Sequence, residues 1–375
     1  MEEPDISYIA LHTHDRITFK RCRLLWHFVS PLRLHLAPKE VRGAFWFGTG
    51  IHFALEDYHS YKRFSSLNHA FQAYYNCFKR YYPEQLPIDH EDLLELGHGM
   101  LAYYPVWLEQ RDEYQTLWVD GVPQVEVDFS IPLPELTEYV GKEVRYEGTF
   151  DKVVVDSYGR LWIVDYKTTK QFDTMKLPLD AQVSAYAWAA EQYYKRPVEG
   201  IIYLQLKKMY PVFPKVTRQG LSVDKRQHTT LKLFRYALIR DGYPPGTPLP
   251  EKYLDYLNEL AEQETLEGDR FIRWDMIRRS DASKQFEYDT ILAEGRDMLN
   301  PDVLIYPNPT RDCSYDCSFR SVHLAMVDQL DWEWLLETEF QRKEDDRREW
   351  MNKLKWENPT LPQLASLEIM SQYQQ

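Results

Sequence analysis

The spacing of apolar residues changes character along the chain. From about Thr18 to Tyr82 hydrophobic positions recur mostly at helical intervals, as in FKRCRLLWHF and IHFALEDYHSY. GVPQVEVDFSIPLP, bounded by prolines, predicts a strand. RYEGTFDKVVV and RLWIVDYKTT flank the turn-forming cluster DSYG and predict a hairpin. LDAQVSAYAWAAEQYYK predicts a helix that stops before Arg196-Pro197, and GIIYLQLKK a further strand. These elements make an α/β core between about Gln124 and Lys208, a small mixed sheet flanked by helices. Asp224 to Asn300 is polar and helical, interrupted by GYPPGTPLP. The expected organisation is an N-terminal helical region (1–120), the core (121–210), a second helical region (211–300), a cysteine-bearing loop (301–330) and a charged C-terminal helix and tail (331–375).

Composition narrows the class. Hydrophobic residues make up 44% of the 375-residue chain, enough for a sizeable core. No apolar run is long enough to cross a bilayer, and MEEPDISYIALHTHDR lacks a basic segment followed by an apolar one. A cytoplasmic location is therefore expected. Four cysteines do not make a disulfide framework. Cys77 reads as a buried structural residue, whereas the close pair Cys313 and Cys317 suggests metal or cluster ligation. The net charge of -13 argues against non-specific coating of nucleic acid. A DNA-binding protein of this charge needs a local basic groove. Lys20, Arg21, Arg23, Lys207 and Lys208 are candidates, each equally readable as a solvated surface charge.

The hairpin carries the chemistry. Side chains alternate along a strand, so Asp165 and Lys167 share one face, while Val164 and Tyr166 share the other. The turn brings Asp151 near Asp165, directly opposite or diagonal according to the turn type. Adjacent carboxylates repel unless a cation lies between them, and hard oxygen ligands suit Mg²⁺ or Mn²⁺. An isolated D-x-K is more often a surface ion pair. Three features shift that balance. Gly148 precedes Asp151 by three residues, where close backbone approach is useful. Gln182 and Tyr186 share one helical face. GTGIHFALE sets His52, Leu55 and Glu56 on one helix, with His52 able to supply a metal ligand.

In chain order, G-x-x-x-H-x-x-L-E at Gly48 to Glu56, G-x-x-D at Gly148 to Asp151, D-x-K at Asp165 to Lys167 and Q-x-x-x-Y at Gln182 to Tyr186 resemble the RecB-like branch of the PD-(D/E)XK nucleases. That branch includes CRISPR-adaptation and bacteriophage exonucleases. The resemblance covers most of Thr18 to His323. It implies a restriction-endonuclease-like α/β core with helical additions and metal-dependent cleavage of DNA, exonucleolytic, in recombination, end-processing or phage DNA metabolism. His52, Asp151, Asp165 and the Tyr166 carbonyl would hold Mg²⁺ or Mn²⁺. Lys167 would position the attacking water, and Gln182 and Tyr186 the strand. Glu56 and Glu147 would be accessory groups. DNA ends or single strands would be the substrate, with recombination or replication proteins as further partners.

Iron–sulfur members of the branch place one cysteine before the histidine motif and three after the core. Cys22, Cys313 and Cys317 match three of those positions, and His323 stands at the fourth. A [4Fe-4S] cluster with one histidine ligand, a zinc site and an empty relic are all compatible with this set. Two other functional classes share the fold: an endonuclease, and a DNA-end-binding or assembly module without turnover. The intact Lys167 speaks against the last.

Overall fold

The computed structural model of the protein describes residues 8–39, 45–109, 113–343, 351 and 354–355. Its centre is the 12-residue strand Val144–Val155, which is too long to be paired by any one neighbour. On one edge Val125–Pro132 runs antiparallel beside it, followed by the short strand Gln115–Thr116. On the other edge the neighbours change midway. Ile9–His12 pairs in parallel with Val144 to Glu147, and Leu161–Thr169 pairs antiparallel with Lys152 to Val155. The sheet continues through Val198–Lys207, parallel to Leu161–Thr169, and ends on antiparallel Ile272–Arg278.

Alternation along these strands builds two cores, one on each face. Trp162, Val164 and Tyr166 join Ile202, Leu204 and Leu206 beneath the helices Phe45–His59, Leu67–Tyr81 and His90–Leu108. Leu161, Ile163 and Ile201 face the opposite way, against Ala181–Tyr194 and Asp281–Leu299. The fold is thus mixed α/β, with helices on both faces of a mixed sheet. Ala181–Tyr194 is the crossover between the parallel strands. It starts where the Asp180 carboxylate accepts Gln182 N–H and stops where Lys195 turns left-handed. Arg16, fully buried on the helix Thr13–Arg21, pairs with Glu287 and Glu294 of Asp281–Leu299 and reaches the Tyr146 hydroxyl.

Three parts of the sequence reading are corrected. Ile272–Arg278 lies in a segment expected to be helical, and Ile9–His12 in a segment assigned no strand. Ile272 and Trp274 are buried with Arg273 between them, so the strand shows period two under its charges. The expected C-terminal helix ends at Glu339, because Phe340 is buried and stacks on Phe319. Phe340–Arg342 then pairs with Leu36–Pro38. The rest of the expected helix, at 344–350, lies outside the described residues. Between Val198–Lys207 and Ile272–Arg278 sits a small unit with its own core of Leu221, Phe234, Leu238, Tyr253, Tyr256 and Leu260. No helix among the described residues is long and apolar enough to cross a membrane.

The hairpin turn is a five-residue loop organised by Asp156. Its carboxylate accepts the backbone N–H of Tyr158 and Arg160, the Arg160 side chain and the Trp162 indole. Although burial opposes it, these donors hold the carboxyl below its usual range. The stabilisation is therefore present above the unfolded carboxyl pKa and lost as pH falls through the lower folded value. Asp156→Ala should cost on the order of 2 kcal/mol at pH 7. In urea unfolding the gap from the native protein should narrow at pH 3.5; a gap independent of pH would show that the charge contributes nothing.

Candidate metal centre

Pairing between the two hairpin strands stops at Lys152–Val164. Beyond it the strands part, and Asp151 and Asp165 stand one step past the last pair, directly across the opening. Parting leaves the Tyr166 peptide without a strand partner on that side. A buried peptide group needs partners, and it finds them in side chains. Tyr166 N–H donates to Asp151 Oδ2 at 2.7 Å, and the Tyr166 carbonyl accepts from His52 Nε2 at 3.1 Å. His52 is carried by the helix Phe45–His59, which lies flush against its neighbours at Gly50. A Cβ there would come within 2.8 Å of Phe71 and Tyr74.

Three ligand atoms, from His52, Glu126 and Asp151, lie within 4.8 Å of one another and could hold a metal ion. The His52 Nδ1 is 3.6 Å from both Glu126 Oε1 and Asp151 Oδ1. Burial disfavours a charged imidazole, but Asp151 and Glu126 outweigh it and raise the pKa of His52 to about 9. Burial also pushes the Asp151 carboxyl up, and Glu126 adds to it.

Glu126 was missed in the sequence. It sits between Val125, paired with Lys152, and Val127, paired with Phe150, and is therefore level with Asp151. Its φ of 49° breaks the ladder locally. Glu126 alternates with apolar residues just as Asp128 does, so the strand VEVDFSIP offers no local signal that singles it out.

Asp165 lies outside that trio. Lys167 Nζ stands 3.0 Å from each of its carboxylate oxygens, and Gln182 Nε2 is 3.4 Å from Oδ1. Oδ2 is buried and receives no properly directed hydrogen bond, which leaves a lone pair for a cation. Burial raises the Asp165 carboxyl, as does Asp151. The Lys167 ammonium, despite burial, is held charged by Asp165 and Asp151. Tyr186 packs edge-on against Phe129 and Phe150, its hydroxyl made less acidic by burial and by the two aspartates. Gln182 and Tyr186 line a cleft with Asp165 and Tyr203.

Other expected residues are used elsewhere. Gly148 makes room for Phe129, whose ring would lie 2.7 Å from a Cβ there. Glu147 accepts from Ser130, and Glu56 pairs with Lys355. Lys20, Arg21 and Arg23 pair with Glu294, Asp316 and Asp297, so that cluster ties the N-terminal helices to the helix Asp281–Leu299 and the cysteine loop rather than lining a groove. Cys77 packs beside the core, as expected.

Lys152, next to Asp151, points to the opposite face. It is buried, with Nζ 3.1 Å from His59 Nδ1, and burial lowers its pKa to about 7. Burial, then Lys152, keeps the His59 ring neutral, and its Nε2 meets the Tyr104 hydroxyl at 2.8 Å.

Cys22, Cys313 and Cys317 converge at the far end of the molecule. Burial raises the Cys317 thiol, and its neighbours Cys313 and Cys22 raise it further. Asn308 N–H donates to Cys22 Sγ, and Thr310 N–H to Cys313 Sγ. His323 lies on the helix Arg320–Val327, and no hydrogen bond joins its ring to the three sulfurs.

Carboxylates, an imidazole and a lysine thus meet at a parting of strands on a mixed sheet, and three of these groups could hold a metal ion. The sequence profile of the PD-(D/E)XK nuclease superfamily matches residues 17–322. The chain belongs to that superfamily, which makes it a metal-dependent nuclease hydrolase with DNA as substrate. No curated protein matches it.

Glu126 is the residue whose part in the centre is least expected. Glu126→Gln should weaken Mn²⁺ binding roughly tenfold by calorimetry, while Glu147→Gln leaves it unchanged. Equal affinities for all three proteins would remove Glu126 from the centre.

Proposed function

We propose that the protein is a RecB-like exonuclease, with His52, Asp151, Asp165 and the Tyr166 carbonyl holding Mg²⁺ or Mn²⁺ and Glu126 completing the negative cradle. The observation that carries this reading is the parting of the hairpin strands, where Asp151 stands across from Asp165 and the Tyr166 peptide is met by Asp151 and His52. When bound, a divalent cation supplies positive charge to polarise the scissile phosphate. Lys167, held charged by Asp165, orients the attacking water and offsets charge that grows on the phosphate. Gln182 and Tyr186, on one face of the crossover helix, position the strand. The exonucleolytic assignment and a role in recombination, end-processing or phage DNA metabolism rest on the order of the four motifs.

Asp165→Ala should abolish Mg²⁺-dependent cleavage of end-labelled DNA, and Lys167→Ala should lower kcat with little change in DNA affinity. Wild-type cleavage by Asp165→Ala would disprove the site. Equal cutting of linear and covalently closed circular DNA would make the enzyme an endonuclease.

The cysteine end is proposed to hold an iron–sulfur cluster on Cys22, Cys313 and Cys317, with His323 as the remaining candidate ligand. A tetrahedral zinc and an iron–sulfur cluster both take thiolates with an occasional imidazole. N–H donors to sulfur accompany such clusters. Protein purified without oxygen should be brown and contain iron. Cys22→Ser and Cys317→Ser should each lower Tm, and their combination should fall short of the sum. Zinc without iron would replace the cluster by a zinc site; neither metal, with additive mutants, would make the cysteines a relic.

A further inference from the structure

The acidic chain has one segment of opposite character. Between residues 207 and 240 there are nine Lys and Arg and one acid, Asp224. Most of this segment belongs to the unit inserted between Val198–Lys207 and Ile272–Arg278. The two helices of that unit are charged in opposite senses. Leu231–Arg240 carries Lys232, Arg235 and Arg240 and no acid, whereas Glu251–Glu262 carries Glu251, Asp255, Glu259 and Glu262 against Lys252.

A helix kept only for solubility intersperses its charges, and this pair segregates them. The inward side of Leu231–Arg240 is buried at Phe234, Ala237 and Leu238, so Lys232, Arg235, Tyr236, Ile239 and Arg240 form its exposed face. Phe213 lies against this face, with its ring 6.0 Å from that of Tyr236 and from the Arg240 guanidinium. Both rings are about half exposed, at 50% and 54%. Among the described residues Arg218, Arg235 and Arg240 have no carboxylate partner and Lys215 only the electrostatic reach of Asp224, while Lys225, Arg226 and Lys232 form ion pairs.

The chain leads from the candidate metal centre into this patch. Asp165 pairs with Tyr203, and Thr169 with Lys207. A strand rises about 3.3 Å per residue, which sets Lys207 about 13 Å beyond the carboxylate level. There Lys207 lies over Phe172 and Lys208 over Phe47, with Lys170 close by. The strand beside Asp165 thus leads past Lys167 to Lys207, at the start of the insert.

We infer that the insert is a grip for single-stranded DNA, with Arg235, Arg240, Lys215 and Arg218 on its phosphates and Phe213 and Tyr236 stacked on its bases. Unpaired cations supply the phosphate term. Exposed ring faces distinguish a single strand from a duplex, because a duplex offers no unstacked base to lie on them. The insert would then hold a strand whose other end occupies the cleft at Asp165. The inference rests on the nuclease reading for its choice of DNA.

Binding measured in EDTA keeps the two readings separable. The full-length protein is titrated by fluorescence anisotropy with a 30-nucleotide single strand, the same sequence as a duplex, and the same sequence as RNA, over a series of salt concentrations. Arg235→Gln/Arg240→Gln should weaken single-strand binding and flatten the salt slope by about 1.4 units, at about 0.7 per phosphate contact. Phe213→Ala should weaken single-strand binding about tenfold with the slope unchanged and duplex binding little altered. A double variant that binds as the native protein does would overturn the grip. Equal losses on single strand and duplex with Phe213→Ala would overturn the stacking role, and tighter binding of RNA would overturn the choice of DNA. Cleavage by Asp165→Ala bears on the nuclease reading alone and leaves the grip standing or falling on these titrations.

Discussion

One peptide without a strand partner organises the end of the sheet that carries Asp151 and Asp165. Where Val144–Val155 and Leu161–Thr169 separate, the N–H and carbonyl of Tyr166 lose their strand partners, and Asp151 and His52 replace them. Leaving either group buried and unmet would cost a few kcal/mol. The requirement for satisfied backbone thus draws a carboxylate from one strand and an imidazole from a separate helix to the same point. Asp165 and Lys167, on the alternate residues of the strand, follow by the pleat. Glu126 arrives because the far strand is in register across Asp151.

The sheet separates two ways of handling charge. On the face of Asp151 and Asp165 the acids are crowded and desolvated, and His52 and Lys167 offset them. On the other face Lys152 follows Asp151 in sequence but is buried beside His59, where its own charge is disfavoured. A neighbouring ammonium that is only partly charged near neutral pH does little to neutralise Asp151. The negative potential at the front therefore remains available to a divalent cation.

What could be read in the sequence was local. The hairpin, the crossover helix and the D-x-K spacing depend on residues within a few positions of one another, and each is where its pattern placed it. Ile9–His12 carries no strand signal because four residues become a strand only through their neighbour. Ile272–Arg278 carries its period among Arg273, Asp275 and Arg278, inside a segment that is otherwise polar and helical. Glu126 was invisible as a site residue because its place depends on a strand register that no local pattern specifies. The basic candidates divided similarly: Lys20 and Arg23 have acids waiting on the distant helix Asp281–Leu299, and Arg21 has Asp316 in the cysteine loop, which only the tertiary structure reveals.

The buried Arg16 has a temporal consequence. Its partner Glu287 lies 271 residues further along the chain. At ribosomal rates of about 5–20 residues per second, that interval lasts roughly fifteen seconds to a minute. Throughout it, an arginine destined for a dry interior has nothing to neutralise it, so the helix Thr13–Arg21 cannot dock. The pairing of Leu36–Pro38 with Phe340–Arg342 waits longer still. The hairpin with both aspartates can close as soon as it is made. Order of synthesis and order of assembly therefore run in opposite directions, and the first helix made is among the last to find its place.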